Sequence, residues 1–258
     1  MRKGVLVIST VVALTAVSPA PAVYHGERAP FSSFGFMVSV RPPTNPGEHV
    51  CGGTLIAPDI VLTAAHCVIE PKKQTAIVGV DEPQWDDAPA VRITGYRVPP
   101  HSLPGSSNRS DLGLLRLAKP QASPVLALAD AEPEAGTPVA TAGWGCTARP
   151  RPPKPCYRHP DHLQTAEQQV VSVSRCNRSR FWKPPAYAPT TICAKGSDAV
   201  ANPGDSGGPL VVGDAESGYT QVGVVSLGPD KPDTPLNAYT SVPSLRAWID
   251  KATAALQR

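Results

Sequence analysis

Short apolar or alternating runs, most of them bounded by proline, glycine, asparagine or aspartate, recur along the chain. Phe34 to Arg41 alternates imperfectly and ends at Pro42-Pro43 and Asn45-Pro46-Gly47. Val50 to Ile56 and Ile60 to Thr63 flank the hairpin-like break Ala57-Pro58-Asp59, and Ala64 to Val68 can close a single helical turn. Thr75 to Val80, Val91 to Val98 and Leu112 to Leu117 follow, then Pro138 to Trp144, Gln164 to Ser174, Thr190 to Cys193, Pro209 to Val212, Thr220 to Leu227 and Ala238 to Val242. β-branched and apolar residues in runs of this length, separated by turn formers, predict strands. Residues 120–136 are rich in alanine and proline, without a strong period, and predict a linker between two halves. Only the end changes period. Leu245, Trp248, Ile249, Ala252 and Leu256 recur at helical spacing behind Pro243, which predicts a terminal helix packed on the preceding strands. About twelve short strands in two halves predict an all-β fold of paired barrels. Barrel 1 is expected at about 23–130, barrel 2 at about 131–242 and the helix at about 243–256.

Composition agrees with a folded, turn-rich chain. With 41% hydrophobic and 17% charged residues, the sequence is too apolar for disorder, and its 31 prolines argue against a helical bundle. A net charge of only +3, with no long basic run, gives no support to a nucleic-acid partner. Arg2 and Lys3, the apolar run Val5 to Val17 and the small-x-small Ala20-Pro21-Ala22 predict a cleaved secretory signal over 1–22. The run is short for a membrane span, so no membrane anchor is expected and the location is secreted, extracellular. In such an oxidising compartment six cysteines (Cys51, Cys67, Cys146, Cys156, Cys176, Cys193) favour disulfides, with the connectivity open. No C-x-x-C pair or zinc-finger spacing occurs. The acidic loop with Asp81, Glu82, Asp86 and Asp87 lacks regular calcium-ligand spacing, so neither a metal nor a cofactor is expected. The basic insert 149–155 between Cys146 and Cys156 reads as a stapled loop. Asn108 and Asn177 head glycosylation sequons.

The candidate chemistry centres on Gly204-Asp205-Ser206-Gly207-Gly208-Pro209-Leu210. A serine among glycines sits at a sharp turn with main-chain N–H groups uncovered, and becomes a nucleophile if a base and an orienting group are near. All six histidines (His25, His49, His66, His101, His159, His162) precede Ser206. That excludes the Ser–acid–His order of α/β-hydrolases and leaves a His–Asp–Ser order open. His66 lies in the small-residue segment Thr63-Ala64-Ala65-His66-Cys67. Asp111 opens an apolar strand, where a carboxylate needs a partner and an imidazole N–H supplies one. Each residue alone could be structural.

Together, Cys51 to Ile56 (CGGTLI), Leu62 to Cys67 (LTAAHC), Ser110 to Leu117 (SDLGLLRL), Thr141 to Gly145 (TAGWG) and Gly204 to Leu210 (GDSGGPL) resemble the chymotrypsin/trypsin-like serine proteases. The likeness spans essentially everything after residue 22. It implies two six-stranded β-barrels with the site between them, His66 as general base, Asp111 as its orienting acid and Ser206 as nucleophile. The N–H groups of Gly204 and Ser206 would form the oxyanion hole, where one donor is worth roughly 2.7–4 kcal/mol. Cys51–Cys67 and Cys176–Cys193 match family disulfides, while Cys146–Cys156 has no such match and pairs by elimination. The family's freed amine would be that of Val23, created by signal cleavage and paired with Asp205. Substrates would be proteins or peptides, with protein protease inhibitors as further partners, and the chain would act as a monomer. The alternative is a catalytically silent binding protein of the same fold.

The sequence also departs from the family pattern. Asn202 replaces a cysteine four residues before the nucleophile. Val200, not an acid, falls at the pocket base, and Asp198 is displaced by two positions. Ala201, Pro203, Ser226, Leu227, Gly228 and Asn237 complete the expected pocket, with Asn237 where the family often has glycine. A small or medium uncharged side chain is the expected preference before the cut.

Overall fold

The computed structural model describes residues 23, 26–42, 48–68, 70–82, 89–100, 102, 110–147, 159–178, 188–227 and 235–258. The signal-type segment 1–22, His25, Asp86, Asp87, His101, Asn108, the insert 149–155, Cys156 and Gly228 lie outside the described residues.

Strand β1 (Glu27–Arg28) is followed by β2 (Met37–Arg41), β3 (Cys51–Ala57), β4 (Ile60–Thr63), β5 (Thr75–Val78), β6 (Ala90–Arg97) and β7 (Gly113–Leu117). Strands β2 to β7 close an antiparallel barrel in the order β2-β3-β4-β7-β6-β5. After the short β8 (Ala127–Leu128), a second barrel is built from β9 (Pro138–Gly143), β10 (Gln164–Val171), β11 (Thr191–Gly196), β12 (Pro209–Asp214), β13 (Gly218–Leu227) and β14 (Leu236–Ser241). Its order is β10-β11-β14-β13-β12-β9, closed by pairing of β9 with β10. The two closed six-stranded antiparallel barrels expected from the sequence are therefore present. So are the disulfides Cys51–Cys67 and Cys176–Cys193. Cys146 is also disulfide-bonded and fully buried.

The imperfect alternation before residue 41 has a physical cause. Every residue of β2 is buried. Val38 and Val40 fill the first barrel, while Met37, with Phe34 and Phe36, joins a separate cluster containing Trp144 and Leu163. A strand covered on both faces loses its polar alternation.

Several details differ from the sequence expectation. Residues 127–128, within the expected linker, pair in parallel with Thr220 and Gln221 of β13. The run Gln164 to Ser174 stops as a strand at Val171, and helix α1 (Val173–Arg178) takes over. The terminal helix α2 (Val242–Gln257) starts where Ser241 Oγ accepts from the Ser244 N–H at 3.1 Å, with Pro243 in the first turn. Its buried stripe of Val242, Ile249, Ala252 and Leu256 joins the first-barrel cluster rather than resting on the preceding strands alone. The Arg116 guanidinium on β7 donates to the Leu256 carbonyl. The last element of the chain thus fastens the second barrel back onto the first.

A second fastening lies at the seam. Thr54 Oγ1 of β3 donates to Gln221 Oε1 of β13 at 2.7 Å, and Gln221 Nε2 donates to the Gly223 carbonyl at 3.0 Å, with Thr54 and Gln221 fully buried. Thr54→Val keeps the shape but leaves Gln221 Oε1 without its donor. The expected cost is about 1–3 kcal/mol, read as a lower guanidinium midpoint at unchanged slope in a Ser206→Ala background with disulfides intact. An unchanged midpoint would show that the seam does not depend on this bond.

Candidate active site

β4 leads into a 3₁₀ turn, Ala65–Cys67, and the Cys51–Cys67 disulfide ties that turn to β3. The His66 ring is consequently held at the open edge of the first barrel, its side chain 35% exposed. Asp111 precedes β7, which pairs with β4, so the two residues emerge from neighbouring strands. Asp111 Oδ2 accepts from His66 Nδ1 at 2.8 Å, and Oδ1 accepts from the His66 backbone N–H at 3.0 Å. A carboxylate is an acceptor only, so Nδ1 carries the proton and the Nε2 lone pair is left free as a base.

The second barrel completes this arrangement. Ser226 Oγ donates to Asp111 Oδ2 at 2.6 Å, and Thr240 Oγ1 donates to the Asp111 carbonyl at 2.9 Å. Burial alone would raise the Asp111 carboxyl. The His66 ring, the Ser226 hydroxyl and the His66 N–H outweigh it and hold the group below its ordinary value. Burial likewise pulls His66 down, but the hydrogen bond and charge of Asp111 overcome it and leave the imidazole raised.

Ser206 lies in the turn before β12. Its carbonyl accepts from the Gly52 N–H at 2.7 Å, and the sulfur of Cys67, the residue after His66, lies 3.6 Å from the same oxygen. The turn is therefore anchored beside the His66 segment. Gly204 adopts φ +101°, a region that penalises any Cβ, and a Cβ there would lie 2.9 Å from His159 Cε1. The Gly204 and Ser206 N–H groups have no acceptor among the described residues. The Gly204 carbonyl, by contrast, accepts from His49 Nε2 at 2.8 Å, while His49 Nδ1 accepts from Ser39 Oγ at 2.8 Å. Burial, with the neighbouring His159, drives His49 down to about 3, so it stays neutral. His159 packs edge-on against it at 5.4 Å and donates from Nδ1 to the Trp144 carbonyl at 2.7 Å.

Asp205 is fully buried. Its carboxylate accepts from the Gly145 N–H at 2.7 Å and the Asn202 N–H at 2.8 Å. Desolvation still pushes it up to about 7, with those two bonds opposing. A Cβ on Gly145 would lie 2.3 Å from the carboxylate carbon, so only glycine admits the acid there. Val23 is completely buried as well.

The expected pocket residues are uncharged. Val200 and Ala201 are buried, Leu227 is exposed and Ser226 turns its hydroxyl to Asp111. Asn237 is fully buried: Oδ1 accepts from the Ala201 N–H at 3.0 Å, and Nδ2 donates to the Ala201 carbonyl at 3.2 Å. Gln168 joins it, donating to Asn237 Oδ1 at 3.3 Å and accepting from Tyr239 Oη at 2.9 Å. Asn202 donates from Nδ2 to the Cys146 carbonyl at 2.6 Å.

Ser226 as a partner of Asp111, the Ser39–His49–Gly204 chain, His159 and Gln168 were not found from the sequence. The bonds that reach the triad and the serine turn cross between distant segments, Ser226 standing 115 positions from Asp111 and His49 standing 155 from Gly204. No local pattern marks them.

Comparison with known proteins agrees with this architecture. Residues 23–249 match the family model described as Trypsin. Trypsin theta of Drosophila erecta is 30% identical over 242 residues, covering 91% of this chain and 87% of that protein. Trypsin delta of the same fly is 29% identical over 236 residues, covering 88% and 87%. Among solved structures, neuropsin, a serine protease expressed in the limbic system of mouse brain, superposes with a TM-score of 0.72 at 26% identity, covering 88% of this chain and 98% of that one. Two closed barrels, a serine turn anchored beside the histidine segment and a family match over most of the length lead to one conclusion: the chain belongs to the chymotrypsin/trypsin-like serine proteases.

Proposed function

We propose that this protein is a secreted serine endopeptidase in which His66, Asp111 and Ser206 cleave peptide bonds through an acyl-enzyme. The observation that carries the reading is the Asp111 carboxylate, bonded to His66 Nδ1 from one side and Ser226 from the other. It fixes the imidazole tautomer with Nε2 free to take the Ser206 proton as Oγ attacks the scissile carbonyl. The oxyanion then takes up the Gly204 and Ser206 N–H groups, which have no acceptor among the described residues. Protonated His66 returns its proton to the departing amine, and water repeats the sequence to release the acid. Proteins and peptides are the substrates and protein protease inhibitors the expected competitors, with a monomer as the working unit. Among the described residues no helix is long and apolar enough to cross a membrane.

Ser206 should be labelled covalently by a fluorophosphonate, and Ser206→Ala should abolish the label. Asp111→Asn should keep the fold but lower kcat on the order of 10⁴-fold, as loss of this acid does in the same constellation elsewhere. A folded wild-type chain that takes no label would identify a silent binding protein instead.

The buried, raised Asp205 calls for a cation. We assign that role to the α-amine of Val23 once residues 1–22 are removed, pairing it with Asp205 and ordering the Gly204 peptide. His66 must be neutral to act, and its pKa is raised, so activity falls on the acid side with a limb above the imidazole's ordinary 6.5. An amine near pKa ~8 in the free state should give a second, alkaline limb, shifted upward by the ion pair. A pH profile of secreted protein, with its N-terminus sequenced, tests both. Active protein starting elsewhere than Val23, or an alkaline limb unchanged after Val23 is deleted, would remove the latch.

The pocket supports an uncharged residue before the cut. The expected lining of Val200, Ala201, Pro203, Ser226, Leu227, Gly228 and Asn237 contains no acid to offset a buried guanidinium or ammonium. The Asn237 amide is spent on Ala201 and Gln168. A fluorogenic peptide panel should favour small or medium uncharged residues, and Asn237→Gly should shift preference toward larger ones. Strict cleavage after Arg or Lys would refute this pocket.

A further inference from the structure

We propose that Asp81, Glu82 and His162 form a binding site for a divalent transition-metal ion such as Zn²⁺ or Mn²⁺, away from the serine turn. His162 Nδ1 lies 3.1 Å from Asp81 Oδ2 and 2.9 Å from Glu82 Oε1, and the three ligand atoms all fall within 4.8 Å of one another. Asp81 is set in place by bonds unrelated to any ion. Its Oδ1 accepts from the Leu163 N–H at 2.9 Å, and its carbonyl accepts from Trp144 Nε1 at 2.8 Å. Leu163 adjoins His162, so the same contact holds imidazole and carboxylate together. Two of the three side chains are 23% exposed and the third 33%, which leaves the cluster reachable from solvent but partly desolvated.

The cluster is crowded as it stands. Arg28 Nη2 approaches both Asp81 Oδ2, at 3.2 Å, and His162 Nδ1, at 3.0 Å. If Nδ1 carries a proton, it confronts the guanidinium as donor to donor, and its single proton is shared between two carboxylates. If Nδ1 is bare, its lone pair accepts from Arg28 but faces two anionic oxygens. Either way two like groups stand close together: a protonated Nδ1 3.0 Å from the guanidinium nitrogen, or the bare Nδ1 lone pair 2.9 Å from Glu82 Oε1. A divalent ion in place of the guanidinium relieves both contacts: it takes the Nδ1 lone pair and one oxygen from each carboxylate, with water filling the remaining positions. One nitrogen and two carboxylate oxygens suit zinc or manganese better than calcium, which takes oxygen ligands. The Arg28 side chain is 61% exposed and free to swing into solvent. It is the built-in competitor for the site.

The test is calorimetric titration of the full secreted Ser206→Ala protein, disulfides intact, with ZnCl₂, MnCl₂ and CaCl₂. Zn²⁺ or Mn²⁺ should bind at one equivalent and raise the unfolding temperature. His162→Ala and Asp81→Asn should each weaken binding by at least the roughly 10–100-fold that loss of even an outer-shell partner costs. Arg28→Gln should bind more tightly than the parent, a gain that a plain salt-bridge cluster would not show. Zinc held instead by His66 would persist undiminished in His162→Ala and would overturn the proposal. So would saturation by Ca²⁺ in preference to both transition metals, weaker binding in Arg28→Gln, or no binding to the parent.

Discussion

The Asp111 carboxylate accepts from three donors, two of them on His66 in the first barrel and the third, Ser226, on β13 of the second. Its own carbonyl takes a fourth bond from Thr240 on β14. A carboxylate this desolvated tolerates its charge only because these three donors face it. The barrels cannot slide past one another without stripping some of those donors away. The same contact fixes which His66 nitrogen is protonated, so docking of the barrels and the chemical state of the imidazole are one constraint. Thr54 with Gln221, and the Gly52 N–H with the Ser206 carbonyl, repeat the pattern along the seam: hydroxyls and peptides of one half satisfy the other.

Asp205 presents the opposite case. It too is buried, but only two N–H groups reach it, and it stays raised to about 7. Asp111 is a completed anion and Asp205 an incomplete one. That contrast is what the proposed pairing of Asp205 with a freed Val23 amine rests on.

The sequence revealed what local chemistry encodes. Strands with turn formers at their ends gave two barrels, and the segments around His66, Asp111 and Ser206 gave the candidate site. Errors fall where burial is decided by distant neighbours. Ser172 to Ser174 continue an alternating run, yet the chain turns into α1 there. β8 has no periodicity of its own and exists because β13 offers it an edge. The stripe of α2 was legible, but its partner, the first barrel, was not. In the site, Ser226 was read as pocket lining because its strand was recognisable, while its bond to Asp111 depends on how two barrels dock. In sequence Asp81 and Glu82 belong to one acidic loop with Asp86 and Asp87, whereas in space an imidazole, His162, from a distant segment lies against them.

Residues 143–146 show how closely these features are joined. The Trp144 ring donates to the Asp81 carbonyl, its own carbonyl accepts from His159, and the next N–H, from Gly145, donates to Asp205. His159 in turn lies against His49, which holds the Gly204 carbonyl. The Asp81 cluster, the buried acid and the peptide beside Ser206 therefore share one short, buried segment whose backbone has little room to move. A substitution at Trp144 would disturb three polar contacts as well as the packing with Phe34 and Leu163. Energetic effects at these sites should then fail to add, because neighbours in one hydrogen-bond network couple in a way that distant residues do not.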